Sequence, residues 1–518
     1  MTFFFENKKD FKTNSLLVFV LILLCIYKVF TIVDFNLEYY DSDQFIMWLS
    51  ARLFSQGEFY GPCFYGQDYN YMIEGFLAAP LLYFGMDVRM AVAWATQFLF
   101  SSVWIINALI IAKHKSLLSA LLFLSIWMLL PLEYDLLTAL PRGFVPAFAC
   151  CSALMWTLIK PQHKTAFALN TVLSACACTI NPTTAWICFP VLAYAWLKSK
   201  TRYFILLPAC VALITAGIWY MQHRYYSLHP DYIVHPQAGG WSWEYFKMNI
   251  ARLNRLIFLT GPIWPGLGIL WFLLFLIFIW VYRRQQVVLW TLLFTILLFA
   301  LFLFHFKIGD GLYHWLFFSN SRFFIGLPLV LALYGSISDV FCKSLWAKLL
   351  ILIALVNMGV KIYRLKNQLE SHFSSQQWFG VHVFKKNELE HAIAEIQKVI
   401  IAQNANGLVL SGNQWQDELF AYAAPAVLNR FCETRLTSSF GGHAERRYWL
   451  KKTQNKIYKG NILYLSSNFN LTAPSGFKAN QWTPINRYGL YRIVNTNYSL
   501  NELVNRLDSA EIVQAKSK

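Results

Sequence analysis

The chain has 518 residues, of which 57% are hydrophobic, 18% aromatic and only 14% charged, and its formal net charge is +17. Soluble domains hold about 25% charged residues, so this composition excludes an ordinary soluble enzyme and assigns most of the chain to lipid. The positive excess does not mark a nucleic-acid binder, because the basic residues fall in twos and threes between apolar runs and form no stripe.

In chain order, the apolar run 16–33 follows Lys8, Lys9 and Lys12. A bilayer core takes about 20 residues to cross, and this run is long enough. No small-residue cleavage site follows it, so it reads as an uncleaved anchor. Further spans are expected at 90–112, 116–132, 143–159, 165–180, 183–197, 203–221, 262–282, 287–304, 323–338 and 345–362, eleven in all. Segment 71–85 is apolar but short for a crossing and reads as interfacial or re-entrant.

Loop charge agrees with that choice. With the N-terminus in the cytoplasm and 71–85 not crossing, Lys113/Lys115, Lys160/Lys164, Lys198/Lys200/Arg202, Arg283/Arg284 and Lys343/Lys348 all lie inside. This is what the positive-inside rule requires. Of the acids before residue 364, only Glu6, Asp10 and Asp339 then face inward, and the spans carry almost no charge, Lys28 inside the first being an exception. Polar chemistry is therefore expected in the outer loops.

Residues 1–363 form the membrane domain, and the tail, 364–518, is expected outside as a small α/β domain. "FKKNELEHAIAEIQKVIIAQ" has a helical period, as do "DELFAYAAPAVLNR" and, more weakly, "ERRYWLKKTQNK". "GLVLSG", "NILYLS" and "RYGLYRIV" read as strands, and such alternation suggests an α/β unit. The ten cysteines show no CxxC pair or zinc spacing; most sit in apolar segments as small hydrophobes, while Cys63 and Cys432 fall in outer loops where a disulfide is one outcome.

The first outer loop, 34–89, holds Asp41, Asp43, Glu58, Asp68, Glu74 and Asp87. Apolar residues at Phe45, Ile46, Trp48, Leu49 and Leu53 predict a surface helix. Asp43 at its start is either a cap stabilised by the helix dipole or a chemical group. The ordered pieces Asp43-Gln44, Ala51-Arg52, "GEFYGPCFYGQDYNYMIEG" and Glu74 ahead of "GFLAAPLLYFG" resemble the GT-C class of integral-membrane glycosyltransferases. That class includes the protein O-mannosyltransferases and the aminoarabinose and galacturonic-acid transferases of lipid A. Architecture is shared over some 360 residues, but the sharp motifs occupy only the first loop. Two departures stand out: several relatives have Asp-Glu where Asp43-Gln44 stands, and some carry a phosphate-binding Lys where Gly75 stands.

The resemblance implies a polyprenyl-phosphate sugar as donor, a lipid, glycan or protein hydroxyl as acceptor, and the bilayer itself as partner. An alcohol needs a general base to attack, and a half-desolvated carboxylate has raised basicity. That role is expected for Asp43, with Glu74 binding a divalent cation (Mg, Mn or Zn) or orienting the acceptor, and Asp41 the lesser candidate. A cation would be shared by Asp43 and Glu74, and no other cofactor is implied. A single displacement predicts inversion.

The leaving phosphate calls for Arg or Lys. Arg322 in "SNSRFFIGLPLVLALYG" and Arg142 in "LPRGF" stand at outer mouths of spans, where snorkelling is the alternative. Lys307, His305 and His314 share a late loop, and Gln67 and Tyr69 are substrate candidates in the aromatic turn. The outer loop 222–261 is rich in Trp, Tyr and His around a Gly-Gly pair, as a lid or an interfacial belt would be. Two other classes stay open: a transporter or flippase of lipid-linked sugars, which would need ionisable groups at mid-membrane and repeat halves, and a non-catalytic envelope assembly protein. A bacterial inner-membrane location would make the tail periplasmic.

Overall fold

A computed structural model describes residues 8–64, 67, 70–199, 206–229, 240–309, 319–338, 345–372, 377–378, 381–411, 419–428, 433–437, 460–466, 483–485 and 489–496. The expected positions of Tyr69, His314, Cys432, Gly239 and the helix "ERRYWLKKTQNK" lie outside them. The chain divides into two compact units. The first contains 1–36, 93–221 and 238–381; the second contains 37–92, 222–237 and 382–518.

The first unit is a set of apolar helices, as expected of a polytopic membrane protein. Three described helices are long and apolar enough to cross a bilayer: Ser15–Asn36, Val88–His114 (α4) and Leu345–Asn367. The first begins as α1 (Lys8–Phe30) and ends in a π-helical turn, Thr31–Asn36. Shorter apolar helices include Val145–Ile159, Lys164–Ile180, Ile269–Tyr282, Gln286–Phe302 and Arg322–Ile337. The expected span 116–132 is not straight. Its helix, Leu117–Leu129, ends at a break, and a second helix that was not expected, Leu132–Ala139, follows at 89° to it. Pro131 stands at the break and N-caps the second piece, and a proline cannot donate the backbone bond that would carry the helix through.

That break buries charge. Asp135 is fully buried and accepts from Tyr27 Oη at 2.9 Å, Trp127 Nε1 at 3.0 Å, Lys361 Nζ at 2.6 Å and Lys28 Nζ at 3.4 Å. Beside it Arg364 Nη2 donates to Glu133 Oε1 at 2.6 Å. The expectation that the acids lie in surface loops therefore fails for Asp135. Its ammonium partners come from the first and last long helices, and only folding brings them together.

The second unit joins the first loop to the tail. Tyr39 and Tyr40 pair antiparallel with Lys385 and Phe384, and Phe45 packs on Phe384 with ring centroids 5.4 Å apart. The tail holds a five-stranded mixed sheet. Strand Ala405–Ser411 runs parallel to Glu433–Thr437 and to the central strand Gly460–Ser466, which is antiparallel to Gly489–Thr496. Helix Lys386–Ala402 buries Leu389, Ala392, Ile393, Ile396 and Ile400 at helical spacing. Of "DELFAYAAPAVLNR", only Leu419–Val427 is described as helical, and it opens as a π-turn.

Within this unit α2 (Ser42–Ser55) and α3 (Ile73–Tyr83) cross very closely. A Cβ on Gly75 would overlap Ser50 Oγ and lie 3.3 Å from both Met47 O and Ala51 N. This explains why Gly follows Glu74 here. Gly75→Ala is expected to lower stability by about 1–3 kcal/mol through overpacking. A fall in the melting temperature of the detergent-solubilised protein, partly recovered by adding Ser50→Gly, is the check.

Candidate functional site

The carboxylates of the first loop are set by α2 and α3. Asp41, not Asp43, caps α2: its extended backbone precedes the helix and Asp41 Oδ1 accepts from Gln44 N at 3.0 Å. The capping role anticipated for Asp43 thus falls to its neighbour, because an N-cap oxygen must reach the amide two or three residues on. Asp43 lies half-buried in the first turn, and the i, i+4, i+7, i+8 spacing sets it on one side of the helix with Met47, Ser50 and Ala51. That is the side against which Gly75 packs. Glu74 is fully buried in the first turn of α3, where the helix dipole favours a negative charge. Arg52, of the expected Ala-Arg pair, donates Nε to Ala426 O at 3.0 Å and so ties α2 to the tail.

The aromatic turn before Glu74 is a closed loop. Phe64 N donates to Asn70 O and Gln67 N to Phe64 O, both at 2.8 Å, and Cys63 bridges to Tyr71. Asn70 takes a positive φ of 61°, which Asn tolerates better than most residues. Its amide Nδ2 donates to Gln67 Oε1 at 2.9 Å. Tyr71 Oη bonds Gln222 Oε1, and Tyr226 Oη donates to Gln67 O at 3.4 Å. Phe59 meets Tyr225 edge-on at 5.6 Å. The loop 222–261 thus begins as helix, the end of Leu206–Ser227, and later forms Trp243–Ala251.

At the rim of this unit Arg89 bonds Asp87 (Nε–Oδ1, 3.0 Å) and Glu390 (Nη1–Oε1, 2.8 Å). Burial would raise the Asp87 carboxyl, but the bonds and charge of Arg89 outweigh it and hold Asp87 below the usual range. Among the described residues no three His, Cys, Asp or Glu side chains gather as metal ligands. One or two carboxylates can hold a hard divalent cation when water and a substrate phosphate complete its shell, and no step is assigned to such an ion.

The cations expected for phosphate belong to the first unit. Arg142 is buried, one residue before Gly143, whose φ of 74° turns the chain sharply. Phe144 follows, and the guanidinium of Arg322 lies 5.6 Å from its ring centroid, a cation–π contact. The Arg142 and Arg322 segments are therefore brought together, although they lie far apart in sequence. Asn181 and Thr183 stand beside them: Thr183 Oγ1 is 2.9 Å from Asn181 Oδ1 and 3.5 Å from Arg322 O. Lys307 is half-buried in the short helix Phe306–Gly309, its N–H donating to His305 Nδ1 at 3.1 Å. Burial and Lys307 pull the His305 imidazole below its ordinary value.

This arrangement of broken helices, a long first loop and a tail sheet has counterparts among solved structures. The crystal structure of ArnT from Cupriavidus metallidurans in the apo state superposes with a TM-score of 0.54 over 95% of this chain and 99% of that one, at 12% identity. The chain has the ArnT fold. ArnT from the same organism bound to undecaprenyl phosphate gives a TM-score of 0.55 over 92% of this chain and 98% of that one, again at 12% identity. The sequence matches no protein-family model and no curated protein. With so few identities, the ArnT fold here rests on shared architecture.

Sequence reasoning missed Asp135 with Lys361. Lys28 inside a span was the visible signal, since a buried ammonium calls for a carboxylate. Two outcomes follow from the second unit. Asp41→Ala should cost about 1 kcal/mol through the lost cap, read by chemical denaturation. Asp87, with its depressed pKa, should stabilise the fold above pH ~4 and lose that contribution as pH falls through its folded value; Asp87→Asn should melt below wild type at neutral pH, and the gap should shrink as the pH falls below ~4.

Proposed function

We propose that this chain is an inverting glycosyltransferase that moves a sugar from a polyprenyl-phosphate donor to an acceptor hydroxyl at the membrane surface. The observation that carries the reading is the ArnT fold over nearly the whole chain, one of whose solved structures holds undecaprenyl phosphate. Together with it stand a half-buried Asp43, a buried Glu74 and the paired Arg142 and Arg322 segments.

In this mechanism Asp43 accepts the proton of the acceptor hydroxyl as its oxygen attacks the anomeric carbon. The bond from that carbon to the phosphate oxygen breaks, and the electron pair leaves on the lipid phosphate. Glu74 orients the acceptor. Arg322 and Arg142 bind the departing phosphate, charge-assisted contacts being the strong kind for such an anion. The sugar and the acceptor are chosen by side chains outside this set.

The runner-up is a flippase of lipid-linked sugars. The buried Lys28–Asp135–Lys361 group favours it, because ionisable groups among helices are common in transporters. No internal repeat supports it.

Transfer from a radiolabelled polyprenyl-phosphate sugar separates the readings. Wild type should label product, Asp43→Asn should lower kcat about 10²- to 10⁴-fold, and Arg322→Ala should raise KM for the lipid donor. Equal labelling by Asp43→Asn would remove the base, and lipid flux in proteoliposomes with no sugar transfer would favour the flippase. Insensitivity to EDTA would argue against a cation on Asp43 and Glu74.

A further inference from the structure

The fully buried carboxylate of Asp135 is bonded by side chains of three helices, and the mechanism above does not use it. It sits on the short helix 132–139, here α6, which turns away from 117–129, here α5, by 89°. Four donors converge on its two oxygens. Tyr27 and Lys28 come from α1, Trp127 from α5, and Lys361 from the long helix Leu345–Asn367. Two ammoniums face one carboxylate, so the centre resists any shift of α6 that would separate the charges in an apolar setting. Both ends of α6 are held as well. Glu133 pairs with Arg364 at 2.6 Å, and Asn36 Nδ2 donates to Ala139 O at 2.9 Å.

What α6 carries gives this brace a purpose. Its C-terminus leads within three residues to Arg142 and the Gly143 turn. From its middle, Tyr134 Oη donates to Ile325 O at 2.8 Å, three residues beyond Arg322. One short helix thus holds both arginine segments, one through the chain and one through a single hydrogen bond.

We propose that Asp135 is a positioning residue for the donor phosphate: clamped by Lys28 and Lys361, it fixes α6 and thereby sets Arg142 and, through Tyr134 and Ile325, Arg322. The proposal rests on the functional reading above. It assigns the buried lysines to the clamp and leaves the phosphate to the arginines. A clamp acts on binding geometry, because a guanidinium must meet a phosphate oxygen within hydrogen-bond range to count.

The test uses full-length protein in detergent, with undecaprenyl phosphate as the binding probe and sugar transfer as the second readout. Asp135→Asn should weaken undecaprenyl phosphate binding at least ~10-fold and raise KM for the lipid donor by a similar factor, with a smaller change in kcat. Tyr134→Phe leaves every charge in place and removes only the tie to Ile325. It should weaken binding several-fold with an unchanged melting temperature. A merely structural role predicts the opposite split, with less active protein at an unaltered KM and Kd.

If Asp135→Asn does not fold, Tyr134→Phe decides alone. Wild-type Kd and KM in Tyr134→Phe, or in a folded Asp135→Asn, overturn the proposal while the glycosyltransferase reading stands. Wild-type protein that neither binds undecaprenyl phosphate nor transfers sugar overturns both.

Discussion

A carboxylate stays charged among apolar helices only if cations and donors surround it, and Asp135 is where this chain meets that constraint. Moving an ion out of water costs several kcal/mol even after relaxation. The chain answers with two ammoniums, a phenol and an indole N–H. Those four donors come from three different helices, so the first and last long helices must lie against the broken one for the charge to be tolerated. The bend at Pro131 and the approach of α1 to the helix Leu345–Asn367 bring those donors and that carboxylate together.

The second unit solves a different problem. Its first-loop carboxylates must be presented on short helices whose ends would otherwise expose unpaired backbone groups. Asp41 satisfies the start of α2, Gly75 lets α3 approach it closely, and Arg52 and the Tyr39–Tyr40 pairing attach the pair to the tail. The tail supports the loop through Phe384–Lys385 and Ala426, segments that lie outside its five-stranded sheet. Because Asp41 takes the cap, Asp43 stands inside the first turn of α2 rather than ahead of it.

Much of this was legible from one dimension. Apolar helices announced themselves because every lipid-facing residue must be apolar, although only three of the described ones are long and apolar enough to cross a bilayer. The helix at Ser42–Ser55 followed from the spacing of Phe45, Trp48 and Leu49, and the strands of the tail from short β-rich runs bounded by Gly and Asn. The candidate acids stood out because charge is rare in this composition. The helix after Pro131 was not expected, since Glu133 and Asp135 make its residues read as an outer loop and hydropathy does not register a bend. The choice between Asp41 and Asp43 as cap was equally hidden, because it depends on which residue has the extended backbone.

The amino-acid sequence by itself determined that the chain lives in a bilayer, that its acids gather in the first loop, and that its tail alternates helix and strand. These are properties of local composition and period, which each segment carries alone. Tertiary structure alone decided that Asp135 is buried between Lys28 and Lys361, that Arg322 stacks on Phe144 beside Arg142, and that the first loop pairs with the tail. Such contacts join residues a hundred or more positions apart, and no local pattern encodes which distant charge a buried group will meet.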